Sequence, residues 1–261
     1  MNNKKIIRAA TVSISTIFFK PIVKDLQAKG YEVISLTSPG PELKELSEMG
    51  VKCIEVPMER HISLWNDFKS LLQLIKVFRK EQPFIVHSMT PKAGMLCMVA
   101  AWIVRVPRRI HTFTGLVWPT TVGLKRRVLM GTDWLTCACA THVIPEGKGV
   151  MNDLQTYITK KPMKVLGYGN IRGVDMERFS RRSEVVEAAL KEGVFTFVFV
   201  GRIVGDKGIN ELVEAFIHLL KDSPNVRLIL VGPYEDNLDP VSTLTKERIN
   251  NTPQIETVGP I

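Results

Sequence analysis

Gly201–Arg202–Ile203–Val204–Gly205–Asp206–Lys207–Gly208–Ile209 lies between two segments of different periodicity. Before it runs a continuous apolar stretch, Phe195 to Val200, with the length and β-branched or aromatic content of a buried strand. After it, Ile209 to Leu220 repeats apolar residues at helical spacing. The stretch therefore reads as strand, glycine turn and helix, the repeating unit of a parallel α/β sheet. A helix start offers N–H groups without intrahelical partners, and Arg202 and Lys207 add fixed charge beside them. That chemistry suits a diphosphate. Only 53 residues follow Gly208.

Upstream, the same alternation repeats. Strands are predicted at Lys5–Thr11, Glu32–Thr37, Lys52–Val56, Phe84–His87, Arg109–Phe113, His142–Ile144 and Lys164–Leu166. Helical patterns fall near 17–29, 41–49, 66–80, 92–104, 123–139 and 147–157. Phe68, Leu71, Leu72, Ile75 and Phe78 form one apolar stripe, predicted to face the core. Short loops between alternating elements imply a doubly wound parallel sheet. Three glycines within Gly167–Asp175 mark a hinge. Beyond it, strands at 194–200, 226–231 and 255–258 alternate with helices at 208–221 and 240–250. Three strands with two crossovers make a small sheet, read here as cut in mid-sheet. The expected layout is a complete Rossmann-like domain over 1–168, a linker over 169–182 and a partial second domain over 183–261.

Composition narrows the function. Residues 1–179 carry 26 Lys/Arg against 14 Asp/Glu, whereas 180–261 carry 9 against 12. The first part thus owns a basic face, open to nucleic acid, anionic lipid or a phosphorylated substrate. No recognised nucleic-acid motif accompanies the charge, so nucleic acid is set aside. Lys125, Arg126 and Arg127, with Arg105, Arg108 and Arg109, form either a solvated face or an attachment to an anionic membrane. Trp102, Trp118 and Trp134 favour the second reading. The longest apolar run, Met95 to Val104, is too short to span a bilayer, and the N-terminus lacks a signal-peptide pattern. A cytoplasmic chain, peripheral on the inner face of the plasma membrane if the basic face docks there, is expected. The four cysteines, Cys53, Cys97, Cys137 and Cys139, read as small buried hydrophobes rather than as a zinc set. No G-x-G-x-x-G follows the first strand, which argues against a nicotinamide site.

Taken in order, several segments resemble the retaining glycosyltransferases of the GT-B fold, in the family 4 group (GT4), and their bacterial capsule, exopolysaccharide and O-antigen subgroup. They are Thr37–Gly40, Val86–His87 with Pro91–Gly94, Arg109–Gly115, Gly123–Arg126 and Gly173–Asp175 with Phe179. Gly201–Gly208, Val231–Pro233 and Val258–Gly259 complete the set. The resemblance implies two Rossmann-like domains across a cleft, a nucleotide-sugar donor held mainly by the second and a lipid-linked saccharide acceptor mainly by the first. It implies no metal and no cofactor. Arg202, Lys207 and Gly201 would hold the donor diphosphate, and His111 would lie beside the donor sugar as the catalytic-site residue. Ser13, Ser15, His87, Lys92 and Thr114 are the expected acceptor or cleft residues.

Four features depart from the pattern. The loop after the first strand, Thr11–Thr16, has no glycine. Met89 stands where the subgroup often has a second histidine, and Arg172 where the family often has asparagine. No acidic E-x(7)-E segment follows Lys207. Three functions follow: transfer of a hexose or N-acetylhexosamine to a lipid-linked saccharide, with this chain inactive if cut short; a non-catalytic module that binds a nucleotide diphosphate or acceptor; or a GT-B-fold epimerase of UDP-N-acetylhexosamine.

Overall fold

The computed structural model describes residues 4–61, 63–171, 173–177, 179–183, 193–236 and 239–260. Arg172 lies outside them. The chain divides into two compact units, Met1–Val174 and Asp175–Ile261.

The first unit is a six-stranded sheet. Its strands are β1 (Lys5–Ala9), β2 (Glu32–Thr37), β3 (Lys52–Glu55), β4 (Ile85–Ser88), β5 (Arg108–Phe113) and β6 (His142–Pro145). They run parallel in the order β3-β2-β1-β4-β5-β6. The α-helices are α1 (Val23–Ala28), α2 (Glu42–Glu48), α3 (Leu64–Glu81), α4 (Pro91–Ile103), α5 (Gly123–Cys139) and α6 (Lys148–Asp153). One sheet face packs Ile7, Ile34, Leu36, Val86 and Phe113 against α3, α4 and α5. The other packs Val33 against Phe19, Val23, Leu43 and Leu46 around α1 and α2. Central β1 is covered on both faces, which explains its apolar run.

Five local expectations change. The N-terminal helix expected near 17–29 opens as 3₁₀ turns over Ser13–Phe18 and Lys20–Ile22 before α1. The helix expected to 157 is α only to Asp153 and closes as a π turn, Leu154–Ile158. Lys164–Leu166 is not a strand; the sheet ends at β6. On α3 the inward side is Asp67, Ser70, Leu74, Phe78 and Glu81, so Phe68 and Leu72 face out, each about half exposed. Burying the Asp67–Lys92 pair fixes that rotation, a tertiary term that the apolar pattern does not contain. Trp118 is buried at 1% exposure and donates to Asp133, so it belongs to the core and not to the basic face.

The second unit pairs β7 (Phe195–Val200), β8 (Val226–Val231) and β9 (Ile255–Gly259) in parallel, with β8 in the centre. Helices α7 (Ile209–Asp222) and α8 (Thr243–Asn251) cross over. Their apolar sides meet β8 around Val213, Phe216, Leu228, Leu230 and Ile249. Edge strand β7 is largely exposed despite its apolar sequence, with Phe195 at 65% and Val200 at 74%.

Cys97, Cys137 and Cys139 are buried and all four thiols are free. Burial pushes the Cys97 and Cys137 thiols up to about 12, so neither is a thiolate at neutral pH.

Candidate functional site

Each unit has its own candidate residues at C-terminal strand ends, where open parallel sheets take ligands. In the second unit, β7 ends at Val200 and the chain turns through Gly201. Gly201 N–H donates to Val231 O at 2.9 Å. A Cβ on Gly232 would stand 1.9 Å from Gly201 O, so the ends of β7 and β8 can close together only with glycine at 232. The turn then tightens into a 3₁₀ segment, Gly205–Lys207, and α7 starts at Ile209. Arg202 and Lys207 are both on this turn, with side chains 40% and 46% exposed.

The turn is not charged with cations alone. Arg202 Nη1 donates to Glu235 Oε2 at 2.7 Å, and Nη2 lies 3.5 Å from Asp206 Oδ2. Lys207 Nζ is 3.9 Å from Asp206. Asp206 N–H donates to Asp239 Oδ2 at 2.5 Å, and Gly205 N–H to Asp239 O. Ile203 N–H donates to Pro233 O at 2.8 Å. The loop after β8 is thus laced along the turn, and its carboxylates stand where an anion would. The N–H groups of Gly205 and Asp206, which precede the helix start at Ile209, are therefore taken.

In the first unit, His111 lies near the end of β5, 1% exposed. Its Nδ1 is 2.8 Å from Ser88 Oγ, and its ring meets Phe113 edge-on at 4.5 Å between centroids. Gly94 makes the space: a Cβ there would lie 2.4 Å from His111 Cε1. Burial lowers the imidazole pKa to about 3, partly offset by a hydrogen bond to the Ser88 backbone, so the ring is neutral in the physiological range.

His87, one strand away on β4, is held between two partners. Arg8 Nη1 can only donate, so His87 Nδ1 accepts it at 2.7 Å. The proton is then on Nε2, which donates to Thr112 Oγ1 at 2.8 Å. Desolvation and the Arg8 charge hold His87 well below the usual histidine range.

The other expected cleft residues separate into two groups. Lys92 is in an ion pair, with Nζ 2.7 and 2.8 Å from the two Asp67 oxygens and a side chain 9% exposed. It also donates to His61 O. Its charge is paired with α3, from the first turn of α4 just past the end of β4. Ser13 donates to Glu42 Oε2 at 2.5 Å and is buried, as is Ser15, so neither hydroxyl faces outward. The glycine-free loop uses Thr11 instead: its N–H donates to Thr90 Oγ1, and its hydroxyl accepts from Ala93 N–H at the start of α4. Thr114 is half-buried just past β5. A cavity of about 330 Å³ lined by Phe78, Arg79, Phe84, Arg105 and Pro107 opens beside the starts of β4 and β5, the end away from the histidines.

Residues 17–169 match the family described as Glycosyl transferase 4-like domain, and residues 180–255 match Glycosyl transferases group 1. The chain belongs to the glycosyltransferase 4-like family. This family member is 37% identical over 240 residues to the Capsular polysaccharide biosynthesis glycosyltransferase CapM of Staphylococcus aureus, covering 90% of this chain and 63% of CapM. It is 31% identical over 210 residues to the UDP-Gal:alpha-D-GlcNAc-diphosphoundecaprenol alpha-1,3-galactosyltransferase of Escherichia coli, covering 75% of this chain and 52% of that protein. The chain therefore spans between half and two thirds of the length of these relatives.

Among solved structures, a sucrose-phosphate synthase from Thermosynechococcus elongatus superposes with TM-score 0.73 at 17% identity, over 98% of this chain and 71% of that one. Anabaena HepE in complex with UDP and glucose gives TM-score 0.72 at 15% identity, over 100% and 70%. The UDP-GlcNAc 2-epimerase from Neisseria meningitidis gives 0.68 at 14%, over 98% and 72%. These likenesses establish the α/β, GT-B-like fold of the glycosyltransferase-family chain; transferases and epimerases share it.

Arg8 escaped the sequence reading. It is 6% exposed in the middle of β1, its guanidinium faces no carboxylate, and its Nε makes no hydrogen bond among the described residues. Nη2 donates to Met89 Sδ at 3.3 Å, and the Phe19 ring lies 5.4 Å away. Burial lowers its pKa to about 10. The available signal was a lone cation inside Ile6–Ile7–Arg8–Ala9–Ala10. Glu146, just past β6, also went unread; burial raises its pKa, and it stands near the turn at Gly115.

Proposed function

We propose that this chain carries the donor-diphosphate and acceptor halves of a retaining, nucleotide-sugar-dependent transferase for surface polysaccharide synthesis. The observation that carries the reading is the pair Arg202 and Lys207 on one exposed strand-to-helix turn. Transfer breaks the bond between sugar C1 and the diphosphate oxygen, and the electron pair leaves with the diphosphate. A new bond forms from C1 to an acceptor hydroxyl, whose proton passes to the departing phosphate. Charge grows on that phosphate as the bond breaks, so fixed cations there stabilise the transition state more than the ground state. Arg202 supplies a planar two-pronged donor and Lys207 a point charge. No metal or other cofactor is needed for this role.

The acceptor is assigned to the first unit, as a saccharide on a lipid diphosphate. The E. coli relative's name specifies an acceptor of that kind, and CapM is named for capsular polysaccharide. His111, neutral and packed under Gly94, is assigned to shaping the β5 end beside Thr114 and not to proton abstraction. Among the described residues no helix is long and apolar enough to cross a membrane. The reading places the chain in the cytoplasm, with the basic surface of the first unit against the anionic inner leaflet.

The test is turnover of UDP-hexoses and UDP-N-acetylhexosamines with a polyprenyl-diphosphate saccharide, alongside UDP binding. Acceptor-dependent transfer supports the reading. UDP binding without turnover shows a binding module, and sugar interconversion without acceptor shows an epimerase. Neither binding nor turnover overturns the assignment of Arg202 and Lys207.

A further inference from the structure

Between residues 64 and 139 the chain contains three acids, Asp67, Glu81 and Asp133, and each is turned inward. Asp67 is paired with Lys92 at 2.7 Å. Glu81 is paired with Lys5 at 3.1 Å and Lys52 at 2.8 Å. Asp133 accepts from Trp118 Nε1 at 3.1 Å and is itself mostly buried, which raises its pKa to about 6. Apart from Lys92, paired with Asp67, most cations of the same segment point the other way. Lys69, Lys76, Arg79 and Lys80 are exposed on α3, and Lys125 and Arg127 on α5.

Large apolar residues also lie on that surface, four of them together at the start of α3. Because Asp67 and Ser70 occupy the inner side of the first turns of α3, its large apolar residues face solvent. Leu64 is 83% exposed, Trp65 68%, Phe68 52% and Leu72 51%. The Trp65 and Phe68 rings stack at 6.4 Å, with Lys69 Nζ 5.4 Å from the Trp65 ring. Leu64, Phe68 and Leu72 follow one another at successive turns.

We infer that the first half of α3 inserts into an anionic lipid surface, with Leu64, Trp65, Phe68 and Leu72 below the headgroups and the flanking cations among them. An apolar stripe bordered by Lys and Arg is what an interfacial helix requires. Nucleic acid would leave the apolar residues without use. A second copy docked face to face would bring like charges together. The inference rests on the membrane reading above and deepens it by naming the inserting element.

Co-sedimentation of the whole chain with vesicles of phosphatidylcholine alone, or with 30% phosphatidylglycerol, tests it. Binding is expected to the anionic vesicles and not to the neutral ones. The double variant Trp65→Ser/Phe68→Ser is expected to weaken that binding about tenfold or more. Circular dichroism checks its folding, and Leu64→Ser, at the most exposed of the four positions, is the second variant. No binding to anionic vesicles by the unaltered chain overturns both the membrane reading and this inference. Binding unchanged in both variants overturns this inference alone. Self-association of the unaltered chain without lipid, lost in the double variant, also overturns it by showing that a second copy covers the stripe.

Discussion

Arg202 Nη1 and Glu235 Oε2 are 2.7 Å apart, so the cation assigned to the donor diphosphate already holds a carboxylate. A phosphate must displace that carboxylate or share the guanidinium with it. Glu235→Gln keeps the shape and removes the charge, and should tighten UDP binding a few-fold in calorimetry, or about 1 kcal/mol at most. Arg202→Ala should weaken it about tenfold or more, since a charge-assisted pair is lost. Weaker binding by Glu235→Gln would show that the carboxylate positions Arg202 and does not compete for it.

Gly94→Ala tests the packing of His111. The added methyl would lie 2.4 Å from Cε1 of a ring that is itself enclosed. Overfilling a tight site costs about 1–3 kcal/mol. All four tryptophans, Trp65, Trp102, Trp118 and Trp134, are in the first unit, so tryptophan fluorescence in urea reports its unfolding alone. A midpoint equal to that of the parent would mean that the ring has room the structure does not show.

Much of this was legible in the sequence, and the failures have a common cause. Alternation of apolar strands and amphipathic helices located β8 and α5 with correct bounds, because local periodicity and burial agree there. Phe68 and Leu72 were misplaced because the rotation of α3 is decided by Asp67 meeting Lys92, 25 residues away in sequence. The same pair engages the charge of Lys92. Ser13 was expected among the acceptor or cleft residues, and its bond to Glu42 could not be read locally, because Glu42 comes near only when the loop folds over α2. Arg202 and Lys207 were placed on one turn by spacing alone, but Glu235 and Asp239 come from the next loop and no local pattern announces them.

Lys92→Ala isolates the buried pair. It leaves the Asp67 carboxylate enclosed without its cation, which costs about 3–5 kcal/mol. Adding Asp67→Asn to Lys92→Met removes the charge on both sides and should recover most of the loss. The readout is again the urea midpoint by tryptophan fluorescence. A small loss in Lys92→Ala, with recovery absent in the double variant, would show that the pair does not hold the two helices together.

The two buried histidines predict an acid limb in stability. Both native pKa values are depressed, His111 to about 3 and His87 well below its usual range, so both rings are neutral when folded. In the unfolded chain they titrate near the ordinary histidine value. Below that value the unfolded state binds more protons, so stability is complete above about pH 6.5 and falls as pH drops toward 3. Each histidine contributes a slope of about 1.4 kcal/mol per pH unit within that window. Asp133 acts in the opposite sense: its raised pKa, about 6, makes its folded charge a cost above that pH, relieved on acidification toward the ordinary carboxylate range. Glu146, also raised by burial, acts with Asp133, but both carboxyls take up protons below the pH at which the two histidines of the unfolded chain begin to, so a net loss remains. Stability of the first unit should therefore fall between pH 6.5 and 5, and His87→Gln should flatten that fall while leaving the neutral-pH value lower through loss of the Arg8 partner. A flat profile in the unaltered chain between those pH values would show that one or both rings take up a proton in the folded state, and that Arg8 and His87 are not packed at 2.7 Å.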